Sequence, residues 1–191
     1  INLVDYLTLP NSIVININID GLPITKSSTN QLYPILAQIH SKVTQPFVIG
    51  IYHGYEKPHS CKVFLEKNLN EYKNLHTTGF NYKSRNFKVV IRAIICDSPA
   101  RSFVTCTKLY NGYYGCGKCR EEGDYKDHRM IFVNVDAALR TDQNFIDRID
   151  EDHHVSQSPF EEAGIGMVSQ FPIDYMHNCC LGVMKKILKN L

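Results

Sequence analysis

The feature that most constrains the fold is an apolar segment over residues 87–96, which reads FKVVIRAIIC. Valine and isoleucine dominate it, and β-branched side chains favour extended backbone. Such a segment is typical of a strand buried on both faces of a sheet. Asp97 follows directly, and Ser98 and Pro99 predict the start of a helix over residues 100–108. The sequence therefore predicts a central strand with a carboxylate at its C-terminal end.

Two more strands and a long helix are predicted upstream of this segment. Residues 12–19 form a β-branched run in which apolar and polar residues alternate towards its end, and the strand ends at Asp20, before a Gly-Leu-Pro turn. Residues 47–52 form a short apolar strand, followed by a helix that Ser60 caps and that ends near His76. Strands and helices in this order predict a mixed α/β fold.

Three other segments carry weaker patterns. Residues 25–40 are predicted to be extended or a short helix, interrupted at Pro34 because proline cannot lie in a helix interior. A short helix is predicted near residues 141–149, and a final helix is predicted to begin near Asp174.

The predicted strand ends place two carboxylates where they can act together. Asp20 and Asp97 lie 77 residues apart in the chain, but neighbouring strands of an α/β sheet can bring such positions side by side. Paired carboxylates bind Mg²⁺, and two metal ions can drive an in-line displacement at phosphorus. The alternative is that each aspartate is a turn or cap residue that follows a strand.

A C-x-x-C motif formed by Cys116 and Cys119 lies in a glycine-flanked segment predicted to be a loop. It supplies half of a structural zinc site, or else a redox pair. The sequence does not choose among the candidates for the remaining zinc ligands, which are His128, His153, His154, His177, Cys179 and Cys180.

Composition bounds the class of protein. Of 191 residues, 43% are hydrophobic and 21% charged, which excludes a disordered or low-complexity chain. No apolar run approaches the roughly 20 residues that span a bilayer, so no membrane partner is expected. Seven cysteines, an odd number with two among apolar neighbours, predict a reducing compartment.

The net charge of +2 hides an uneven distribution. Residues 57–92 contain eight basic and two acidic residues, whereas residues 120–162 contain five basic and twelve acidic ones. This pattern indicates either two solvated surfaces of opposite sign or a basic face that binds a polyanion.

A series of short motifs in a fixed order carries a family resemblance. The chain resembles the catalytic core of DNA transposases of the CACTA-like cut-and-paste group, and the transposase-derived proteins of animal genomes. The resemblance covers the chain from about Ser12 onward. Its motifs are IDGLP at 19–23, SS at 27–28, LYPIL at 32–36, GIYHG at 50–54 with KP at 57–58, ICDSPAR at 95–101, GYYGCxxC at 112–119, RTD at 140–142 and FPxDYMHxxxLGV at 171–183.

The resemblance implies a ribonuclease-H-like mixed sheet with flanking helices and an Asp-Asp-Glu triad that binds Mg²⁺ or Mn²⁺. Asp20 would be the first carboxylate and Asp97 the second. Cys116 and Cys119 would belong to a zinc-knuckle insertion with structural Zn²⁺. The third carboxylate has no equivalent in the chain, because the only late glutamates, at 161 and 162, precede the motif that it should follow. We expect it beyond Leu191, in a chain that is an excerpt of a longer protein.

The implied organisation has three segments: a ribonuclease-H-like core over residues 1–110, a cysteine-rich acidic insertion over 111–170, and the start of a helical segment over 171–191. The implied function is metal-dependent cleavage and transfer of DNA strands in the nucleus, by a protein that binds transposon ends and target DNA and that can form a homo-oligomer. This fragment would be inactive alone. The residues expected to contact DNA are Lys57, Lys83, Arg85, Lys88 and Arg101.

Two readings from other functional classes stay open at this point. One is a domesticated, noncatalytic module that binds DNA or protein and keeps the zinc knuckle. The other is a thiol-redox protein that uses Cys116 and Cys119.

Overall fold

The computed structural model describes residues 11–25, 30–40 and 44–189, and Ser27 and Ser28 of the motif series lie outside these ranges. The chain divides into two compact units, Ile1–Ile94 and Ile95–Leu191. The fold is mixed α/β, as the sequence predicts. The three segments that the resemblance implies stay predictions.

The first unit is built on a six-stranded sheet. Its strands run in the order β2-β3-β1-β6-β5, and β4 pairs with β3. The strands are β1 (Ser12–Ile19), β2 (Leu22–Pro23), β3 (Gln31–Ile39), β4 (Phe47–Gly54), β5 (Phe80–Tyr82) and β6 (Arg85–Cys96).

The directions of the central strands follow from their registers. β1 and β3 are antiparallel, as are β3 and β4. Between β1 and β6, the Lys88 amide donates to the Asn11 carbonyl at 3.1 Å, and Arg92 Nη1 donates to Asn16 Oδ1 at 3.4 Å. Both contacts advance along the two strands together, so β1 and β6 run in the same direction.

A long helix, α1 (Cys61–Thr77), follows β4 and packs on the sheet. Ser60 caps it by accepting the amide of Val63 at 3.3 Å, as the sequence predicts. Two side chains of the helix bond to strand backbone: Asn68 Nδ2 donates to the carbonyl of Ile49 at 2.9 Å, and His76 Nδ1 lies 3.1 Å from the carbonyl of Val89. The apolar face of the helix, including Leu65 and Leu69, is buried.

The strands predicted over residues 12–19, 47–52 and 87–96 are confirmed. Of the segment 25–40, residues 26–29 lie outside the described ranges, and for the rest the helical alternative is wrong, since residues 31–39 form β3 and Pro34 lies inside that strand opposite Ile51. A proline cannot donate to a ladder, and strands tolerate it where pairing is irregular. The register between β3 and β4 shifts directly after it.

The second unit consists of short elements joined by hydrogen-bonded loops. In chain order these are α2 (Ser98–Thr105), the hairpin β7 (Asp124–Lys126) and β8 (Arg129–Ile131), α3 (Asp142–Ile146), a 3₁₀ turn (Glu151–His153), α4 (Pro159–Glu162), a π-helix (Tyr175–Met184) and α5 (Lys185–Lys189).

Helix α2 differs at both ends from the predicted 100–108. Asp97, and not Ser98, is its cap, and it ends because Cys106 takes a left-handed conformation with φ 54°. The helix predicted near 141–149 is confirmed in a shorter form, capped by Thr141. The final helix begins after Asp174 as predicted, but its first ten residues are wound as a π-helix.

Two phenylalanines anchor the core of the second unit. Phe171 is 1% exposed and Phe160 is 3% exposed, and their rings meet edge to face at 5.6 Å. Ser158 Oγ donates to the carbonyl of Val104 at 2.6 Å and so fixes α4 to α2. No helix in the ranges that the structure describes is both long enough and apolar enough to cross a membrane.

Candidate functional site

Asp20 lies one residue after β1, where the sequence predicts it. The strand delivers it there because Ile17 and Ile19 are buried and alternate with partly exposed asparagines. Its side chain is half-buried, and its Oδ1 accepts the amide of Gly21 at 2.7 Å. The carboxylate is thus held close to the backbone at the strand end.

Asp97 follows β6 directly and is half-buried. Its Oδ1 accepts the amide of Ala100 at 2.7 Å, which makes Asp97 the N-cap of α2. The cap interpretation of this residue is therefore confirmed. A cap of this kind engages one carboxylate oxygen, so it is compatible with a metal contact through the other.

The start of α2 also contacts the start of the π-helix. Ser98 Oγ donates to Asn178 Oδ1 at 3.4 Å. One turn earlier, the buried Asp174 accepts the amide of Met176 through Oδ1 at 2.9 Å, and its Oδ2 lies 2.5 Å from Nδ1 of His177. The second unit thus brings an aspartate–histidine pair onto the helix start beside the one that Asp97 caps.

The C-x-x-C motif forms a knuckle around a sulfur atom. The amides of Lys118 and Cys119 point at Cys116 Sγ, at 3.4 and 3.3 Å. Two backbone amides therefore converge on one sulfur atom. Burial raises the pKa of the Cys119 thiol, and the adjacent Cys116 adds to that effect.

Three cationic side chains surround the knuckle. The Arg101 guanidinium packs against Gly117, where a β-carbon would lie 2.7 Å from Nη2. Arg140 Nε donates to the carbonyl of Cys116 at 2.9 Å. Lys118 Nζ donates to the carbonyls of Val168 and Phe171 at 2.8 Å each. The knuckle is therefore fastened to the rest of its unit by positive groups.

The Arg140 guanidinium is buried, with 5% of its side chain exposed. Its Nη1 forms an ion pair with Asp150 at 2.5 Å, whereas its Nη2 is buried and has no hydrogen-bond partner among the residues that the structure describes. Burial lowers the pKa of Arg140, and Asp150 and the two knuckle cysteines oppose that shift.

The hydrogen bonds of the histidines distinguish them as zinc-ligand candidates. His153 Nδ1 lies 2.6 Å from the carbonyl of Tyr114, so Nδ1 donates and Nε2 keeps its lone pair. His177 faces the Asp174 carboxylate in the same way. His154 Nδ1 instead lies 2.5 Å from Arg148 Nη1, which can only donate. In the neutral His154 ring, Nε2 then carries the hydrogen, and this tautomer suits a metal less well.

Burial also affects the protonation of the neighbouring histidines. Burial, with the charge of Arg140 as the next largest cause, lowers the pKa of His153 to about 4. The pKa of His154 falls to about 4 for similar reasons, with Arg148 as the nearby charge. Both rings are thus neutral at physiological pH.

Within residues 11–25, 30–40 and 44–189, no group of three or more His, Cys, Asp or Glu side chains is arranged to hold a metal. Cys116 and Cys119 therefore stay candidate zinc ligands, and the described residues do not complete a four-ligand site around them. His128, Cys179 and Cys180 stay candidates from the sequence alone.

Two ion-pair networks in the second unit were not predicted from the sequence. Arg120 and Arg140 converge on Asp150, and despite its burial they hold the pKa of that carboxyl below its usual range. Arg148 pairs with Glu161, which also accepts the amide of Ser158 at 2.9 Å. Glu161 thus has a structural role.

In the sequence, only the RTD motif at 140–142 pointed to these networks. Its third residue, Asp142, accepts the amides of Val168 and Ser169 at 2.7 and 3.0 Å. The motif therefore links two segments of the second unit through hydrogen bonds.

The residues expected to bind DNA fall into two groups. Four of them, Lys57, Lys83, Arg85 and Lys88, are exposed and form no ion pair in the described part of the chain. Arg101 is half-buried against the knuckle, and burial lowers its pKa. The first group is suited to phosphate contacts, whereas Arg101 is suited to a structural role.

Comparison of the chain with protein-family models and with curated proteins finds no match. A functional assignment therefore rests on the residues and contacts described above.

Proposed function

We propose that this chain carries the catalytic core of a DDE-type DNA transposase, in which Asp20 and Asp97 bind a shared divalent cation for cleavage and transfer of DNA strands. The observation that carries the proposal is the parallel pairing of β1 with β6. Each of these strands is followed directly by one of the two aspartates.

The register of the two strands supports pairing of the aspartates. Lys88 contacts Asn11, 77 positions earlier, and Arg92 contacts Asn16, 76 positions earlier. Asp97 and Asp20 are also separated by 77 positions. Parallel strands that keep a constant offset end at the same sheet edge, which favours a common site for the two carboxylates.

The proposed fold is ribonuclease-H-like. It is supported by the antiparallel run of β1, β3 and β4, followed by α1 and by the return of the chain to β6 beside β1. The acidic residues then lie after the two central strands rather than at an edge strand.

The donor set suits Mg²⁺ or Mn²⁺, because hard cations prefer carboxylate oxygens. When bound, such ions supply activation of the attacking oxygen and stabilisation of the leaving one. Asp20 and Asp97 orient and hold the ions through their carboxylates. The proposal assigns no residue as the third carboxylate, and Glu161 is already held by Arg148 and Ser158.

Structural Zn²⁺ at Cys116 and Cys119 is part of the proposal, with His153 and His177 as the better-suited histidine partners. One zinc per chain, lost in Cys116→Ser and kept in Cys106→Ser, is the expected result of metal analysis. Zinc-free protein that cycles between a dithiol and a disulfide would instead support the thiol-redox interpretation.

The other components of the proposal follow from its substrate. Its partners are transposon ends and target DNA, contacted by the exposed cations of residues 57–92, and its site of action is the nucleus. A homo-oligomer fits a reaction on two element ends.

The direct test is a nicking assay with Mn²⁺ on the full-length protein. Asp20→Asn and Asp97→Asn are each expected to abolish nicking, whereas the exposed Asp136→Asn leaves it intact. Normal cleavage by either of the first two variants would refute the assignment.

A noncatalytic DNA- or protein-binding module is the second candidate function. It is favoured by the structural roles of Asp97 as a cap and of Glu161 as an ion-pair partner. Its signature is an absence of nicking by the unmodified full-length protein together with retained, salt-sensitive DNA binding.

A further inference from the structure

The hairpin formed by β5 and β6 presents a tight, well-defined tip. Tyr82 pairs with Arg85 across a two-residue turn in which Lys83 and Ser84 have φ angles of 46° and 61°. Two consecutive left-handed residues define a type I′ turn, which matches the twist of a hairpin. The tip is thus a fixed structure.

The base of the hairpin is anchored to the end of α1. Phe80 and Phe87 stack across the strands at 5.9 Å, and Asn86 Nδ2 donates to the carbonyl of Thr78 at 3.3 Å. Gly79 joins helix and hairpin with φ +74°, where a β-carbon would lie 2.4 Å from the Phe87 carbonyl oxygen. The ribbon is therefore held in one orientation relative to α1 and its sheet.

The surface of the tip is cationic and aromatic. The Tyr82 ring is 57% exposed, and Lys83 Nζ lies 5.4 Å from its centroid. Lys83, Arg85 and Lys88 are exposed. The sequence contains no acidic residue between Glu71 and Asp97, so the ribbon carries no negative side chain of its own.

We propose that this hairpin tip binds unpaired DNA, with the Tyr82 ring stacked on a base and with Lys83, Arg85 and Lys88 on the adjacent phosphates. A basic surface with an exposed aromatic ring is the combination that single-stranded nucleic acid requires, because every base has a π-face. A closed duplex hides those faces in its stack. DNA as the polymer rests on the proposed function, whereas the stacking site rests on the hairpin.

The chain contains a matched hairpin that serves as a control. β7 and β8 pair over three residues each, and their turn residues Asp127 and His128 have φ angles of 49° and 59°. Tyr125 on this hairpin is 60% exposed. Its charges are mixed, with Asp124 and Asp127 beside the basic residues, so it has the same shape without the cationic surface.

The test is fluorescence anisotropy of the full-length protein with a labelled 20-nucleotide dT strand and with a closed duplex, in EDTA. We expect tighter binding of the single strand. Tyr82→Ala is expected to weaken that binding at least fivefold, since stacking on one base contributes that much. Tyr82→Phe should restore it, and Tyr125→Ala should leave it unchanged.

Substitution of the basic residues should change a different quantity, the salt dependence of binding. Lys83→Ala and Arg85→Ala should each lower the slope of log affinity against log salt by close to one phosphate contact, which is about 0.7 for single strands. Tyr82→Ala should leave that slope unchanged. Circular dichroism verifies that each exposed-site variant keeps the fold.

Three results would overturn the inference, and the first two are equal loss of affinity in Tyr82→Ala and Tyr125→Ala, and equal binding of strand and duplex by all variants. Binding of an acidic protein in place of DNA would also contradict it. Because the binding assay is run in EDTA, its result does not depend on the metal contacts proposed for Asp20 and Asp97. Failure of the nicking assay and failure of this assay are therefore separate outcomes.

Discussion

Asp97 combines two tasks in one side chain, the cap of α2 and the proposed metal contact. Asparagine caps a helix as well as aspartate does, but it is a poor ligand for a hard cation. We expect Asp97→Asn to keep the free energy of unfolding within about 0.5 kcal/mol of the parent, whereas Asp97→Ala loses about 1 kcal/mol. Urea denaturation measures both values. Equal losses in the two variants would show that the loss does not come from the cap hydrogen bond, which asparagine preserves.

His153 makes stability depend on pH. Its pKa is about 4 in the folded protein and 6.5 when unfolded, so between these values the unfolded chain binds more protons. The stabilisation that the neutral His153 ring provides should therefore be fully present above pH 6.5. It should decline as pH falls towards 4, by about 3 kcal/mol for this 2% exposed ring.

Urea denaturation of the metal-free protein at pH 7 and at pH 5 tests this dependence. His153→Asn can still donate to the Tyr114 carbonyl and should remove the part of the decline that His153 contributes, while His154, whose pKa is also about 4, keeps its own part. The exposed His59→Asn should leave the decline as it is. A decline of the same size in all three proteins would place its origin elsewhere.

The sequence predicted the positions of Asp20 and Asp97, because periodicity identified the strands that they follow. The role of the two aspartates as metal ligands and the zinc site at Cys116 and Cys119 stay predictions. The ion pair between Arg140 and Asp150 was not predictable, because pairing between charged residues that are separated in the sequence produces no periodic sequence pattern. Tertiary contacts alone bring those two residues together.

At the scale of elements, the joint between α1 and β5 should tolerate no side chain at Gly79. Gly164 has nearly the same left-handed φ, +72° against +74°, but no atom within 4 Å of a β-carbon. Gly164→Ala should thus cost about 1 kcal/mol from backbone strain alone. Gly79→Ala should cost clearly more, about 2–3 kcal/mol, because it also collides with the Phe87 carbonyl oxygen.

Chemical denaturation of both variants measures the difference between these costs. Equal destabilisation by the two substitutions would show that the hairpin can move away from α1. That result would remove the fixed orientation of the β5–β6 tip.

Elements were predictable where hydrophobic periodicity and capping agreed. β1, β6 and α1 satisfy this condition. The sequence did not distinguish a strand from a helix at β3, because Pro34 weakens the strand pattern. Its pairing with β1 and β4 shows that it is a strand. β5 was missed because a Lys-Ser turn lacks the Asn-Gly signal of a type I′ hairpin.

At the scale of the whole molecule, the small net charge conceals two units of different character. The basic residues over 57–92 belong to the first unit, and the acidic residues over 120–162 belong to the second. In the second unit, arginines neutralise Asp150 and Glu161 in ion pairs. The β5–β6 hairpin of the first unit contains basic residues and no acidic residue that could neutralise them. This composition favours a polyanion outside the chain as its partner.

The central claim is that Asp20 and Asp97 share a divalent cation. Electron paramagnetic resonance of Mn²⁺, titrated into the full-length protein, measures that binding without requiring turnover. Asp20→Asn and Asp97→Asn should each weaken Mn²⁺ binding at least tenfold, or about 1.4 kcal/mol. The double variant should lose less than the sum of the two, because both residues act on one ion. Unchanged binding in either single variant, or strictly additive losses, would contradict the claim.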